Sequence, residues 1–387
     1  MTAGSSAGRS GNCSTHVPAQ LRAAPHNEHR GTLRTSEPGR SPRTTATAGY
    51  STLLKTIKAE GLLDRAAGFY IKVFSVLAVL TAGTGAAMAV IGDSWFQLIP
   101  AAVLGILFTQ FAFLAHEASH RQVFSSGPAN DKAGRLIANL IVGISYQWWM
   151  NKHNRHHANP NTIGKDPDIE QDTVSFLPEQ AQARSGFMAW LTRRQGWAFF
   201  PLLTGEGVNL HVQSIKYLFT ARKVQGRATE LAMVFSRLGL YTAAVFVFLP
   251  AGKAAAFLAV QLAVFGVYMG ASFAPNHKGM PLIPEGSRID FLSRQVLTSR
   301  NITGRFTGVF MGGLNYQAEH HLFPSMPRPH LARAAELTRA YCQEQKIPYT
   351  ETTLLRSYAN VITYLNKVGL SGRDPFECPM VSAYRPS

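Results

Sequence analysis

The residues with the most evident chemistry are the histidines, thirteen in all. His116 and His120 stand in AHEASHRQ, four apart, which puts both imidazoles on one face of a helix. His153, His156 and His157 stand in NKHNRHHANPN, where spacings of three and four again converge on one side. His320 and His321 stand in NYQAEHHLFP, with Gln317 one turn upstream. A lone helical histidine is usually structural, but seven in three compact groups are not explained that way. Neutral imidazole suits iron, copper, nickel and zinc, and seven ligands exceed what one tetrahedral zinc needs, so two metal ions are implied. His211 and His330 have no partner at helical spacing and are read as structural. His16, His26 and His29 are read as solvated side chains of a polar tail.

These groups can act together only if the chain brings them to one place. Two apolar blocks, Phe69 to Gly92 and Trp95 to Ala115, are each long enough at about 20 residues to cross a hydrocarbon core and form one helical hairpin. A second pair, Leu231 to Pro250 and Lys253 to Ala274, forms another. With both short connections outside, every Lys and Arg except Lys253 lies inside or near an inner span end, as the positive-inside rule requires. Hydropathy and charge alone therefore place all three histidine groups on one membrane face. His277, in APNHKGM just after the fourth span, emerges on that face and is read as an eighth ligand.

Composition agrees with this organisation. The chain has 46% hydrophobic and 16% charged residues and a formal net charge of +16; long uncharged apolar runs make a bilayer, and not nucleic acid, the partner of that charge. Cys13, Cys342 and Cys378 are scattered and form no CxxC pair, which argues against a disulfide framework or an iron–sulfur cluster. Residues 1–49 are rich in Ser, Thr, Gly, Ala, Pro and Arg and are expected to be a disordered basic tail. Residues 50–330 carry the spans and the histidine groups. Leu136 to Met150 and Gly196 to Leu203 are shorter and interrupted, and suit interfacial or re-entrant elements. Residues 331–387 are expected to form a helical cytosolic segment, Leu331, Ala335 and Leu337 recurring beside Arg333 and Arg339.

HxxxH, HxxHH and QxxHH, in this order around two membrane hairpins, resemble the membrane fatty acid desaturase family. The resemblance runs from about Phe69 to Pro329. It implies an all-α integral membrane protein with four spans and a helical cytosolic cap. It further implies two irons held by His116, His120, His153, His156, His157, His277, His320 and His321, which use dioxygen to place a cis double bond in a fatty acyl chain. Gln317 in place of a histidine looks like the front-end subgroup, which acts between an existing double bond and the carboxyl end. No HPGG motif of a fused cytochrome b5 domain is present, so electrons are expected from a separate donor such as a ferredoxin or a flavin reductase. The substrate would be an acyl chain on coenzyme A, acyl carrier protein or a glycerolipid. A cell membrane of bacterial type is the favoured setting, with the active site on the cytosolic side.

Carboxylates are expected to orient the imidazoles through their second ring nitrogen, with Glu117, Asp166, Asp168 and Glu319 as candidates and Gln317 in the same outer layer. Trp148 and Trp149 could line an acyl tunnel or sit in the aromatic belt, the belt being slightly preferred. Three rival readings remain. HEASH matches the zinc metalloprotease signature HExxH, but that reading leaves the other two groups unexplained. A hydroxylase or ketolase on the same di-iron scaffold shares every ligand. A metal transporter would need histidines at mid-membrane depth, and these lie at span ends.

Overall fold

The computed structural model describes residues 42–170 and 172–371, and the reading of the 1–41 stretch as a disordered tail, with His16, His26 and His29, lies outside them. Helix α1 (Pro42–Ala59) already begins within the stretch expected to be tail. Its second half is anchored, since Leu53 and Ile57 are buried against the cap, and the helix continues N-terminally from that docked turn.

Among the described residues, four helices are long and apolar enough to cross a membrane: Ala67–Ile91, Trp95–Ser119, Arg227–Phe248 and Ala251–His277. The first is α2 (Ala67–Ile91); after a single turn at Trp95–Gln97 comes α3 (Leu98–Ser119). Ser94 caps that turn by accepting from the Phe96 amide at 3.2 Å. The Gln97 amide donates to the carbonyls of Met88 and Gly92 at 2.8 and 2.7 Å, closing the first hairpin. At the same end Lys253, the one cation expected outside, pairs with Asp93 at 2.6 Å. Both inner helices of the hairpins overrun their apolar blocks and so carry histidines past the hydrocarbon.

Between the hairpins come α4 (Gly127–Leu136), a π-helical turn at Ile137–Val142, and α5 (Tyr146–Ala158). Leu136 to Met150 is therefore divided between that turn and the start of α5, which Ser145 caps by accepting from the Trp148 amide at 3.1 Å. Short helices α6 (Pro178–Gln182), α7 (Gly186–Thr192) and α8 (Gln195–Leu202) lead to α9 (Glu206–Thr220), so Gly196 to Leu203 is largely α8. The second hairpin is α10 (Arg227–Phe248) and α11 (Ala251–His277). Helix α9 lies tightly on α11: a Cβ on Gly266 would stand 2.3 Å from the Gly207 amide nitrogen, so this crossing needs glycine on both sides.

The cap follows: α12 (Phe291–Leu297), β1 (Arg300–Thr303), α13 (Thr307–Phe310), α14 (Gln317–Leu322), α15 (Leu331–Glu344), β2 (Thr350–Thr353) and α16 (Leu354–Ser371). Strands β1 and β2 pair in parallel, Arg300 opposite Thr350. This small sheet departs from the all-helical expectation. Leu53, Val296, Leu322, Met326 and Leu331 form the apolar cluster that binds α1, α12, α14 and α15 together. Val361 and Leu365 of α16 pack against Phe199, Leu203 and Ala274. The architecture is thus two apolar hairpins under a largely helical cap.

Candidate metal centre

Helix ends do most of the positioning. His116 lies in the last turn of α3 and His120 caps its C-terminus, His277 is the last residue of α11, and α5 and α14 bring the other two groups across. The eight imidazoles expected as ligands meet in two groups. His116, His120, His153, His157 and His320 form one, and His156, His277 and His321 the other, with the nitrogen atoms of each group within 4.8 Å of one another. The HNRHH group is divided because His153 and His157 share a helix face while His156 is turned away from it. The EHH pair is divided in the same way. His157 and His321 stack across the division at 4.2 Å between ring centroids.

The ring nitrogens stand at hydrogen-bonding distance, but more of them converge than neutral imidazoles can pair. His153 Nε2 lies 2.9 Å from His116 Nε2 and 2.8 Å from His120 Nε2. His157 Nε2 and His320 Nε2 are 3.1 Å apart, and His156 Nε2 and His277 Nε2 are 3.3 Å apart. A neutral imidazole nitrogen is either donor or acceptor, so His153 Nε2 cannot satisfy both neighbours as a donor. His321 Nε2 is buried with no hydrogen-bond partner. Nitrogens bound at about 2.1 Å to one first-row metal at right angles sit roughly 3 Å apart, so these spacings fit a shared ion in each group. Burial, then the charges of neighbouring histidines, hold His153, His157, His320 and His321 well below the ordinary imidazole range. Burial alone takes His120 down to about 3. Such rings are neutral at physiological pH, which is the ligating form.

A family model described as fatty acid desaturase matches residues 93–353, more than half of the chain. The chain belongs to the fatty acid desaturase family. Delta(8)-fatty-acid desaturase 2 of Arabidopsis thaliana is 28% identical over 342 residues, covering 84% of this chain and 75% of its own length. Acyl-lipid (9-3)-desaturase of Borago officinalis is 26% identical over 344 residues, covering 84% and 75%. Delta(6)-fatty-acid desaturase fat-3 of Caenorhabditis elegans is 29% identical over 280 residues, covering 68% and 63%. Membership makes the protein an oxidoreductase, and the zinc peptidase reading falls with it.

The desaturase residues around the imidazoles divide differently from expectation. Asp166 meets His156 Nδ1 at 3.0 and 3.1 Å and also accepts from the amides of Asn161 and Asp168 at 2.7 and 2.9 Å. Asp168 stands 3.5 Å from the same ring nitrogen and pairs with Lys152 at 3.1 Å. Burial works against a charged His156, but Asp168 and Asp166 outweigh it and raise its pKa. Gln317 places its amide nitrogen 2.9 Å from His277 Nε2 and accepts from Asn276 at 2.9 Å. Glu117 and Glu319 touch no imidazole. Glu117 is locked onto Arg328, whose Nε donates to it at 2.7 Å, and so it does not stand as the base of a metalloprotease. Glu319 accepts from Asn301 at 2.7 Å and from Tyr349 at 2.8 Å, tying α14 to the small sheet. A carboxylate's position beside a histidine in sequence turns it off the histidine's helix face, which is why adjacency misled here.

Two supports were missed because they depend on packing across the cap. Gln295 Oε1 lies 2.9 Å from His321 Nδ1, while its amide donates to the His157 carbonyl at 3.0 Å. The Thr298 carbonyl lies 2.8 Å from His277 Nδ1. His211 and His330 stand apart from both groups, their rings against the carbonyls of Gly207 and Leu62 at 2.6 and 2.9 Å. Trp148 and Trp149 line an apolar pocket with Phe113, His116, Met269 and Phe273, in place of the belt position preferred from sequence. Trp149 stacks on His153 at 5.0 Å between ring centroids.

Proposed function

We propose that this desaturase uses dioxygen and two bound irons to introduce a cis double bond into a fatty acyl chain. The observation that carries the proposal is the division of eight histidines, six buried and two half-buried, into two groups, with HNRHH and EHH each contributing to both. An all-imidazole donor set accommodates iron, as it does copper, nickel and zinc, and the resemblance to the membrane desaturases supplies the choice of iron. His116, His120, His153, His157 and His320 would hold one ion and His156, His277 and His321 the other. When bound, the irons would supply activation of dioxygen strong enough to remove hydrogen from an unactivated methylene pair.

The protein's own part is positional. Phe113, Trp149, Met269 and Phe273 hold the acyl chain beside His116 and exclude water. Asp166, Gln295 and the Thr298 carbonyl fix the ring orientation of His156, His321 and His277. Gln317, together with relatives named for the Delta(8) and Delta(6) positions, supports a front-end regiochemistry. Electrons would come from a separate donor such as a ferredoxin or a flavin reductase, docking on the cytosolic side where the cations gather. The setting is a cell membrane if the source is bacterial.

The test is mass spectrometry of total fatty acids from a host expressing the chain, fed saturated and unsaturated precursors, with His157→Ala as control. A new double bond absent from the control is expected, on the carboxyl side of an existing one. A hydroxylated product instead would replace this reading with the hydroxylase one, and activity in the control would remove His157 from the ligand set.

A further inference from the structure

The segment between β1 and α14 has an unusual exposure. Phe306 and Val309 are each 72% exposed and Phe310 39%, in one helical turn at the level of the span ends. The outer ends of α3 and α11 are near Trp95 and Ala251, and about 20 residues cross the hydrocarbon, so the inner boundary falls near Ala115 and Ala271. Gln110 and Tyr268 precede those positions and therefore lie on its apolar side. Both reach the turn: Gln110 donates to the Val309 carbonyl at 3.2 Å and Tyr268 to the Phe310 carbonyl at 2.6 Å. The amides of Val309, Phe310 and Met311 are paired within it, the first two to the Phe306 carbonyl at 3.2 and 3.0 Å and the third to the Thr307 carbonyl at 2.7 Å. Irregular backbone persists against hydrocarbon only when its polar groups are satisfied in this manner.

The turn also adjoins the apolar pocket. Phe113 lines that pocket, and a Cβ on Gly312 would stand 2.5 Å from the Phe113 ring. Tyr268 meets Phe113 edge-on at 6.0 Å and stacks on Phe310 at 4.7 Å between centroids. A single aromatic layer thus separates the pocket beside His116 from the exposed face of the turn.

We propose that residues 305–312 are inserted in the leaflet on the histidine side, and that the acyl chain of a bilayer glycerolipid enters the pocket past them. This rests on the desaturase reading above and names its substrate as membrane lipid, in preference to acyl chains delivered from water. The Arg305 guanidinium, 5.5 Å from the Phe306 ring centroid, is placed to meet phosphate headgroups at the rim.

Two arms separate the insertion from the route. Phe306→Cys and Val309→Cys, each made with Cys13→Ser and Cys378→Ser while buried Cys342 is kept, are labelled with an environment-sensitive fluorophore and reconstituted in vesicles. Bromine along the acyl chains of phosphatidylcholine is expected to lower their emission at least twofold, and to leave a label at Glu344→Cys unchanged. Quenching by aqueous iodide equal to that at position 344 overturns the insertion, whatever the enzyme's activity. In the second arm, run in air with ferredoxin, its flavin reductase and NADPH supplied as electron source, the wild type is expected to convert acyl chains carried by phosphatidylcholine in the vesicle, and Val309→Asp to lose at least tenfold in rate. Conversion of added acyl-CoA in preference to phosphatidylcholine overturns the route. Conversion of neither overturns the reaction itself, the insertion still being decided by the quenching.

Discussion

Arg328 donates from Nε to Glu117 at 2.7 Å, joining the residue within the first histidine group to the segment that follows the third. The Arg328 amide also donates to Tyr70 Oη at 3.0 Å, and Tyr70 donates to Gln122 at 3.1 Å, so α2 joins the same network. The side chains of Glu117 and Arg328 are only 3% and 11% exposed. Removing one partner of such a pair leaves an uncompensated buried charge, at about 3–5 kcal/mol. Arg328→Ala is therefore expected to lower thermal stability in detergent markedly. Glu117→Gln with Arg328→Met should recover much of it, because the remaining groups carry no charge. Equal stability of Arg328→Ala and wild type would show the pair to be idle.

Asp166→Asn keeps the size of the side chain and weakens its hold on His156 Nδ1. Outer groups of this kind typically contribute 10–100-fold to metal affinity. The variant is expected to release iron to a chelator at about tenfold lower chelator concentration than wild type, with helical content unchanged. Iron retention equal to wild type would leave Asp166 a purely structural residue.

Gln295→Leu tests a contact that no sequence pattern announced. Its amide bridges His321 and the His157 carbonyl, so the substitution leaves two groups unsupported at once. Iron content should fall for both ions, whereas Asp166→Asn bears directly on the group of three alone. Metal analysis after identical purification distinguishes the two.

How much was legible follows from these cases. The histidine groups repeat at helical spacing within a few residues, and span lengths are set by the bilayer, so the sequence points to both without a structure. Gln295 and Thr298 reach histidines 21 residues or more away, through the docking of α12, and nothing local marks them. Strands RNIT and TETT are four residues each, too short to show an alternating pattern. Glu117 and Glu319, candidates for orienting the imidazoles, bond Arg328 and the pair Asn301 and Tyr349 instead, because a residue next to a histidine on a helix points to a different side. For Trp149 an aromatic belt and a tunnel wall are both compatible with the sequence, and the turn of α5 that carries it inward to His153 decides between them.

The metal-free protein should be acid-sensitive. His153, His157, His320 and His321 bind protons less readily folded than unfolded, burial being the main cause. Their contribution to stability is full above the unfolded value of about 6.5 and is lost as pH falls below it. Each such ring changes stability by about 1.4 kcal/mol per pH unit until the folded pKa is reached. His156, whose pKa is raised, adds stability that is constant below its unfolded value and is lost only as pH rises above it, so it leaves this acid limb unchanged. Denaturation midpoints of chelator-treated protein are expected to fall steeply between about pH 6.5 and 5, and those of iron-loaded protein less so over the same range. Parallel curves would mean that the imidazoles are already solvated without metal.

Trp149→Ala removes the ring that stacks on His153 and closes one side of the pocket beside His116. The position of the new double bond depends on which methylene pair the pocket holds at the site, so the enlarged cavity should give a mixture of positions with a lower total rate. A tenfold loss corresponds to about 1.4 kcal/mol of transition-state positioning, well within what a lost aromatic wall supplies. Mass spectrometry of derivatised products reads both effects together. A single product position at reduced rate would limit Trp149 to supporting His153, and an unchanged rate and position would remove it from the acyl path.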